Sequence, residues 1–238
     1  MTQKRLEICF TPAIFSAHAD REAIIVVVDV LRATSSICNA FANGVKEIIP
    51  VSTVEEAREM KGKGHLLAAE RDGFVLSFAD FGNSPFNFTA DKVQGRSVVY
   101  STTNGTGIMN RASDCHEVVI GSYLNFSSLC SWLEMQDRKV VIVCAGWKNR
   151  FNLEDTLCAG AISDRLLRGG GFRTICDSVH AATDLWKAAR EDLMGYIEKA
   201  AQRSRLRDKG LDDCLEFCHT FDVTEKIPVL RDGKLVEL

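Results

Sequence analysis

The sequence predicts an α/β protein, a three-layer α/β/α domain built around a mainly parallel or mixed sheet. Short apolar runs rich in β-branched residues, such as Ile24–Val28 and the KVVIVC segment at 139–144, are typical of strands buried on both faces. Helical patterns separate these runs for most of the length, which favours a sheet with helices on both sides. With 238 residues, the chain is long enough for one such domain over 1–238, or for two closely packed α/β lobes within it.

Local signals define the elements in order. A helix over Ala33–Ala42 follows the first strand, and Gly44 ends it. A second strand is predicted at 45–51. The next helix begins at Ser52 or Thr53, because a hydroxyl cap followed by acidic residues is typical of a helix start. The later elements are a strand at 65–69, an irregular stretch at 71–91, strands at 97–101 and 118–121, a helix from about 125, a strand at 139–144, helices at 153–167 and 178–205, a short helix near 212, and one or two final strands.

Composition and charge exclude several classes of function. The formal net charge is -3 and no long block of either sign is present, so the chain has no electrostatic footprint for nucleic acid or a membrane surface. Nine cysteines without a CxxC pair, mostly in apolar runs, favour a reducing, cytoplasmic location. The first ten residues, MTQKRLEICF, lack the apolar core of a signal peptide, and the longest apolar run, 23–28, is too short to cross a bilayer.

Polar residues follow several of the predicted strands. Asp29 and Glu70 each end an apolar run, Thr102 follows another, and the segment 144–155 follows KVVIVC. In doubly covered sheets, ligands bind beyond the carboxyl ends of the strands. We therefore expect these acidic, hydroxyl-bearing and glycine-containing segments to form a site.

The DVLRATSS segment, at 29–36, combines an acid, a cation and hydroxyls. Asp29 can hold a hard cation such as magnesium, and Arg32 can bind an anion with two parallel hydrogen bonds. Thr34 lies at a helix start, where free N–H groups favour a phosphate. An equally supported alternative is that Asp29 and Thr34 only cap the helix and that Arg32 pairs with a surface acid.

Two further strand ends carry candidate ligands. Glu70 and Arg71 repeat the acid–cation theme, although such a pair is often only a solvated ion pair. After the strand at 97–101 comes a turn rich in hydroxyls and backbone N–H groups, which is suited to binding phosphoryl or sulfonyl oxygens. A capped Asn-Gly turn without a ligand is the alternative. The turn consists of Thr102, Thr103, Asn104, Gly105 and Thr106.

The segment after the KVVIVC strand offers two different chemistries. Cys144, the glycine-containing loop at Gly146, and Arg150 have the cysteine–x5–arginine spacing of phosphatases that use a thiolate nucleophile. Glu154 and Asp155 open the next helix, where acids commonly complement the helix dipole. They could also complete a metal site with the acids at the other strand ends.

Five ordered motifs and the tail together resemble the 2-phosphosulfolactate phosphatase family over nearly the whole chain. The motifs are DVLRATSS at 29–36, GNSP at 82–85, TTNGT at 102–106, CAG at 144–146 and LEDTLCAG at 153–160, with Ser204, Leu206, Gly210, Asp213 and Pro228 in the tail.

The resemblance implies hydrolysis of 2-phospho-3-sulfolactate to 3-sulfolactate and phosphate with Mg²⁺, a step of coenzyme M biosynthesis. Under this reading Arg32 and the 102–106 turn bind the phosphoryl group of a small anionic ester. Arg71, Lys148 or Arg150 meets the sulfonate and the carboxylate. Asp29, Arg32, Glu154 and Asp155 are the expected catalytic residues. The expected metal ligands are Asp29, Glu70, Glu154 and Asp155.

Two alternatives remain at this point. The first keeps the reaction but makes Cys144 the nucleophile in place of water. The second is a non-catalytic, anion-binding domain with the same fold. A homodimer is a further expectation that the sequence itself does not test.

Overall fold

The computed structural model describes residues 3–61, 63–102 and 105–238, with the side chains of 105 and 106 excluded. Within these ranges the strands form one eleven-stranded mixed sheet, which confirms the predicted α/β class. In chain order the strands are β1 (Lys4–Cys9), β2 (Ile24–Val28), β3 (Glu47–Pro50), β4 (Leu66–Arg71), β5 (Phe74–Val75), β6 (Ser97–Ser101), β7 (Glu117–Gly121), β8 (Val140–Cys144), β9 (Phe172–Arg173), β10 (Pro228–Arg231) and β11 (Lys234–Glu237).

Helices cover both faces of the sheet. They are α1 (Ala33–Ala42), α2 (Val54–Lys61), α3 (Ala90–Val93), α4 (Gly105–Arg111), α5 (Phe126–Met135), α6 (Leu153–Arg168), α7 (Asp177–Ala189), α8 (Leu193–Ile197), α9 (Ala201–Asp208) and α10 (Leu215–Cys218). Short 3₁₀ turns lie at Pro12–Ala17, Pro85–Asn87 and Tyr123–Asn125. The sequence patterns did not predict strand β1. It pairs in parallel with β8.

The sheet contains two parallel sets joined by a hairpin. The strand order is β5-β4-β6-β3-β11-β10-β7-β2-β8-β1-β9. Strands β4, β6 and β3 are mutually parallel, as are β7, β2, β8, β1 and β9. The antiparallel hairpin β10–β11 lies between them, through Val229 opposite Val119 and Leu235 opposite Ile48.

Alternation along β2 shows how the core is divided. Val26 and Val28 pack into the cluster beneath α5, α6 and α7, whereas Ile25 and Val27 pack into the cluster beneath α1 and α4. Successive side chains of a strand point to opposite faces. All five residues of this strand are buried, as expected for a strand covered on both sides.

The two parallel sets run in formally opposite directions, because three antiparallel pairings separate β3 from β7. Six strand-to-strand steps lie between β4 and β2. At a usual twist of about 20–25° per step, the accumulated rotation is roughly 120–150°. That rotation turns the carboxyl ends of both sets toward one cleft, where the polar residues of the next section lie.

The predicted single helix at 178–205 is wrong, because the structure has three separate helices there. Helix α7 ends at Ala189, and α8 begins after Asp192, whose side chain accepts a hydrogen bond from the Gly195 backbone N–H at 2.9 Å. Ala200 is extended and separates α8 from α9. A side-chain cap of this kind competes with helix continuation. No helix in the described residues is long and apolar enough to cross a membrane.

Candidate active site

A narrow polar cleft opens where the two parallel sets converge. Its free volume is about 30 Å³, close to the volume that one water molecule takes in the liquid. Two carboxylates, an arginine and a threonine from the predicted set contribute to it. The lining residues are Asp29, Leu31, Arg32, Glu70, Gly73, Asn83, Thr102, Trp147, Gln202 and Leu206.

The loop after β2 places Asp29 in the cleft by local hydrogen bonds. The Asp29 backbone N–H donates to Thr34 Oγ1 at 3.0 Å, and the Ala33 N–H donates to Asp29 Oδ1 at 3.3 Å. Thr34 is fully buried and does not line the cleft. Its hydroxyl therefore holds the loop, which favours a structural role for Thr34 over the predicted contact with phosphate.

Arg32 is a buried cation that faces the cleft. Only 6% of its surface is exposed, and its Nη1 donates to the Leu211 carbonyl at 3.4 Å. Among the described residues, no carboxylate forms a salt bridge with it. The alternative of a surface ion pair therefore does not apply, and the guanidinium is available for an anion in the cleft.

Asp155 connects the loops that follow two neighbouring strands. Its Oδ1 accepts from the Val30 backbone N–H at 2.9 Å, and its Oδ2 accepts from the Gly146 N–H at 3.0 Å. Burial raises the pKa of this carboxyl, the nearby Glu154 raises it further, and the two backbone N–H groups act in the opposite direction. Since both oxygens already bind backbone donors, the geometry favours a positioning role for Asp155 over the predicted metal ligation.

Glu154 is a buried acid whose two carboxylate oxygens have no hydrogen-bond partner within the described part of the chain. Burial, which is the largest influence, raises the pKa of Glu154 to about 7. The backbone N–H of Glu154 itself lowers this pKa, and the charge of Asp29 raises it. Arg205 acts on it only at longer range. A carboxylate left this way in a protein interior is typical of a functional site.

Strand β4 brings Glu70 to the cleft but turns Arg71 away from it. Glu70 Oε2 accepts from the Gly73 backbone N–H at 2.6 Å. Arg71 Nη1 donates to the Glu70 carbonyl at 2.7 Å, and its Nη2 donates to Ser101 Oγ at 3.0 Å. The Arg71 guanidinium thus already binds protein acceptors, and its predicted contact with substrate stays a prediction.

The turn after β6 is described only in part. Thr102 lines the cleft, and Gly105 begins α4. Thr103 and Asn104 lie outside the described residues, as does the side chain of Thr106. The prediction that these residues bind oxygens of the ligand stays a prediction.

The cysteine–x5–arginine spacing does not produce a thiolate site. Cys144 is fully buried at the end of β8, and burial, followed by the charge of Asp155, raises the pKa of its thiol well above the usual value. Arg150 is exposed, and its backbone pairs with Trp147 through N–H···O bonds of 2.9 and 3.0 Å. A nucleophilic cysteine needs a lowered pKa and access to its substrate, so the geometry opposes this alternative.

Six residues that line the cleft had been given no role from the sequence: Leu31, Gly73, Asn83, Trp147, Gln202 and Leu206. Asn83 belongs to the GNSP motif, and its Oδ1 accepts from the Tyr100 hydroxyl. Gln202 and Leu206 lie on α9, inside the segment predicted as one long helix. That segment carries no pattern that predicts which of its faces meets the cleft.

The donor set fits a magnesium ion that a substrate helps to bind. Among the described residues, no group of three His, Cys, Asp or Glu side chains could hold a cation by itself. Asp29 and Glu70 nevertheless line one cleft, and Glu154 lies buried beside Asp29 with two oxygens that lack partners. Magnesium is usually held by one or two carboxylates, waters and the phosphate of the substrate.

Comparison with known proteins identifies the family of the chain. The profile of the 2-phosphosulpholactate phosphatase family matches residues 9–233. A probable 2-phosphosulfolactate phosphatase of Thermotoga maritima is 36% identical over 211 residues, covering 89% of this chain and 90% of that protein. One from Caldanaerobacter subterraneus subsp. tengcongensis is 36% identical over 217 residues, or 90% of each chain. One from Clostridium perfringens is 31% identical over 237 residues, covering 97% and 95%. The chain therefore belongs to the 2-phosphosulfolactate phosphatase family.

Proposed function

We propose that the protein is a magnesium-dependent phosphatase that hydrolyses 2-phospho-3-sulfolactate, or a similar small acidic phosphate ester, to the hydroxy acid and phosphate. The reaction would serve coenzyme M biosynthesis. The observation that carries the proposal is the cleft in which Arg32 faces two carboxylates, Asp29 and Glu70, at converging strand ends. Family membership supplies the substrate class, since the relatives bear that name.

Arg32 would bind and orient the phosphoryl group. Its planar fork matches two phosphate oxygens, and its burial strengthens charged hydrogen bonds by excluding water. Thr102, on the same wall, would add a hydroxyl contact. The substrate carries about four negative charges near neutral pH, so a buried cation that forms no salt bridge among the described residues suits it.

Asp29 and Glu70 would hold the metal ion. Magnesium held there would supply neutralisation of the phosphate charge and activation of water. Asp155 fixes the positions of the flanking loops through its two backbone donors. Water is the preferred nucleophile because Cys144 is buried and its thiol is held in the protonated form.

We expect the cleft walls to move when substrate binds. The free volume of about 30 Å³ is small for a phosphate ester. The β4–β5 hairpin and α9 both contribute to the rim, through Gly73 and Leu206. We expect these two segments to separate when the ester enters.

A panel of phosphate esters, with and without a sulfonate, tests the proposal. Activity should require Mg²⁺, disappear in excess chelator, and return when Mg²⁺ is restored. Asp29→Asn should nearly abolish turnover with an unchanged circular dichroism spectrum, because it removes a cleft carboxylate. Asp232→Asn, at the exposed β10–β11 turn, is the matched control and should retain full activity.

Two outcomes would reject the proposal in different ways. Full activity in excess chelator would exclude the metal-dependent mechanism. Binding of inorganic phosphate without hydrolysis of any ester would instead favour the non-catalytic, anion-binding alternative.

A further inference from the structure

Helix α9 carries three arginines with different partners. Arg203 donates to Glu198 Oε1 at 3.0 Å and also pairs with Asp212, while Arg207 pairs with Glu198. Arg205, between them, forms no salt bridge with any carboxylate of the described residues. Its charge interacts with the buried Glu154 only at longer range, so Arg205 is the arginine of this helix that has no salt bridge within the described residues.

Neutral groups hold Arg205 in place instead. Its Nε donates to Gln202 Oε1 at 2.7 Å, and its Nη2 lies 3.5 Å from Asn152 Oδ1. The guanidinium carbon lies 4.8 Å from the centre of the Trp147 ring. A guanidinium stacked on an aromatic ring and oriented by an amide has lost much of its conformational freedom before any ligand binds.

The contacts of Arg205 place it at the rim of the catalytic cleft. Trp147 and Gln202, its two main neighbours, both line the cleft, and so does Leu206, the next residue of the helix. The other cations near Trp147 are engaged with the β4–β5 hairpin: Lys148 Nζ lies 2.8 Å from Asp72 Oδ1, and Lys209 donates to the Asp72 carbonyl. Arg205 is thus the rim cation best placed to meet a ligand.

Gln202 links Arg205 to the loop after β2, which carries Arg32. Its Nε2 donates to the Leu31 carbonyl at 3.2 Å, while its Oε1 accepts from Arg205. Leu31 directly precedes Arg32, the cation assigned to the phosphoryl group. One amide side chain therefore sets the spacing between two arginines that form no salt bridge in the described residues.

We propose that Arg205 is a specificity residue that binds a second anionic group of the substrate, the sulfonate or the carboxylate, while Arg32 binds the phosphate. This inference rests on the proposed phosphatase function and adds a substrate-selecting site to it. The enzyme then prefers esters with an acid at each end over esters of neutral alcohols. Arg71 and Arg150, which were the sequence-based candidates, are replaced in this role.

Kinetics of Arg205→Gln on three esters test the inference. For 2-phospho-3-sulfolactate, kcat/KM should fall about 10- to 150-fold, mainly through KM, as expected for loss of one charged hydrogen bond. For p-nitrophenyl phosphate it should stay within about twofold, since that ester lacks a second acid. 2-Phospholactate has the carboxylate but no sulfonate. A large fall in kcat/KM for this ester would show that Arg205 binds the carboxylate, and an unchanged kcat/KM would show that it binds the sulfonate. Arg205→Lys keeps the charge without the planar fork and should lose an intermediate factor.

Calorimetry gives a readout that does not require turnover. Arg205→Gln should weaken binding of 3-sulfolactate about 10- to 150-fold and leave inorganic phosphate within about twofold. Arg207→Gln, on the same helix but paired with Glu198, is the control and should change neither ligand. If wild type hydrolyses no ester yet shows this selective loss of 3-sulfolactate binding, the phosphatase proposal fails and the anion site stands. Equal losses for both ligands, no loss for either, or no binding of 3-sulfolactate by wild type would overturn the assignment of Arg205.

Discussion

At the scale of single residues, the site depends on which way each polar side chain turns at a strand end. Asp29, Arg32, Glu70 and Thr102 line the cleft, whereas Thr34 bonds to its own loop. Spacing along the chain indicates that a polar residue follows a strand. It does not indicate whether the nearest hydrogen-bond partner is a ligand or the backbone. Short hydroxyl side chains often form their hydrogen bonds with nearby backbone groups.

Asp155→Asn tests the positioning role of that carboxylate. The amide keeps one acceptor but puts an NH₂ group opposite the Val30 or the Gly146 backbone N–H, leaving a buried donor without an acceptor. We expect a loss of about 1–3 kcal/mol in the free energy of unfolding, together with a large loss of activity. Urea denaturation and the ester assay measure the two effects.

Asp184→Asn is the control for this variant, because Asp184 lies on the surface of α7 in an exposed pair with Lys187. Its stability should stay within about 0.5 kcal/mol of wild type. An Asp155→Asn protein with wild-type stability and no activity would contradict the positioning role and favour direct metal ligation.

At the scale of elements, the strength of local signals decided what could be predicted. Helix α1 has the predicted bounds, Ala33–Ala42, because a buried strand precedes it and Gly44 follows it. The breaks between α7, α8 and α9 were missed, since Asp192 and Ala200 are not strong stop signals. A side-chain cap at Asp192 makes the first break, and its geometry is visible only in three dimensions.

The packing of α6 against α7 depends on the glycine that ends the LEDTLCAG motif, for which the sequence indicates no packing role. Gly160 lies inside α6, where a glycine normally weakens a helix, and a Cβ there would clash with the Ala182 carbonyl of α7. The close approach of the two helices therefore requires this position to have no side chain. Helix α6 also carries Glu154 and Asp155 in its first turn, so its placement positions the site.

Gly160→Ala should therefore destabilise the protein, although alanine has the higher helix propensity. Overpacking at a helix contact costs about 1–3 kcal/mol, which exceeds the gain of roughly 1 kcal/mol from propensity. Gly107→Ala in α4 is the control, because a Cβ there meets nothing within 4 Å. Thermal unfolding should show a lower midpoint for Gly160→Ala and an equal or higher one for Gly107→Ala. A stabilised Gly160→Ala protein would show that α6 and α7 can separate without cost.

At the scale of the whole molecule, Asp29 after β2 and Glu70 in β4 line one cleft, but the reason differs from the one that the sequence suggested. We expected Asp29 and Glu70 to meet because parallel strands end at one edge, yet β2 and β4 belong to sets with opposite formal directions. The twist accumulated across the intervening strands restores the convergence. The sequence could not indicate this, because the central hairpin at 228–237 pairs with strands more than a hundred residues away.

That hairpin makes the stability of the two parallel sets interdependent. Leu235 is fully buried opposite Ile48 of β3, and β10 next to it pairs with β7 of the other set. Leu235→Ala should cost about 2–5 kcal/mol through loss of apolar contact and the cavity left behind. Because the hairpin bridges both sets, the protein should still unfold in one transition at a lower urea concentration.

Two spectroscopic probes measured on the same samples test whether the protein unfolds in one transition. Tryptophan fluorescence mainly reports the β7–β2–β8 side, because Trp132 and Trp186 pack there and Trp147 follows β8 at the cleft. Far-ultraviolet circular dichroism reports helices on both sides. The two curves should coincide for wild type and for Leu235→Ala, as all-or-none unfolding requires. Leu238→Ala, at an exposed position three residues on, should leave the midpoint unchanged. Separate fluorescence and dichroism transitions in Leu235→Ala would mean that the parallel sets are independent lobes and that the hairpin only connects them.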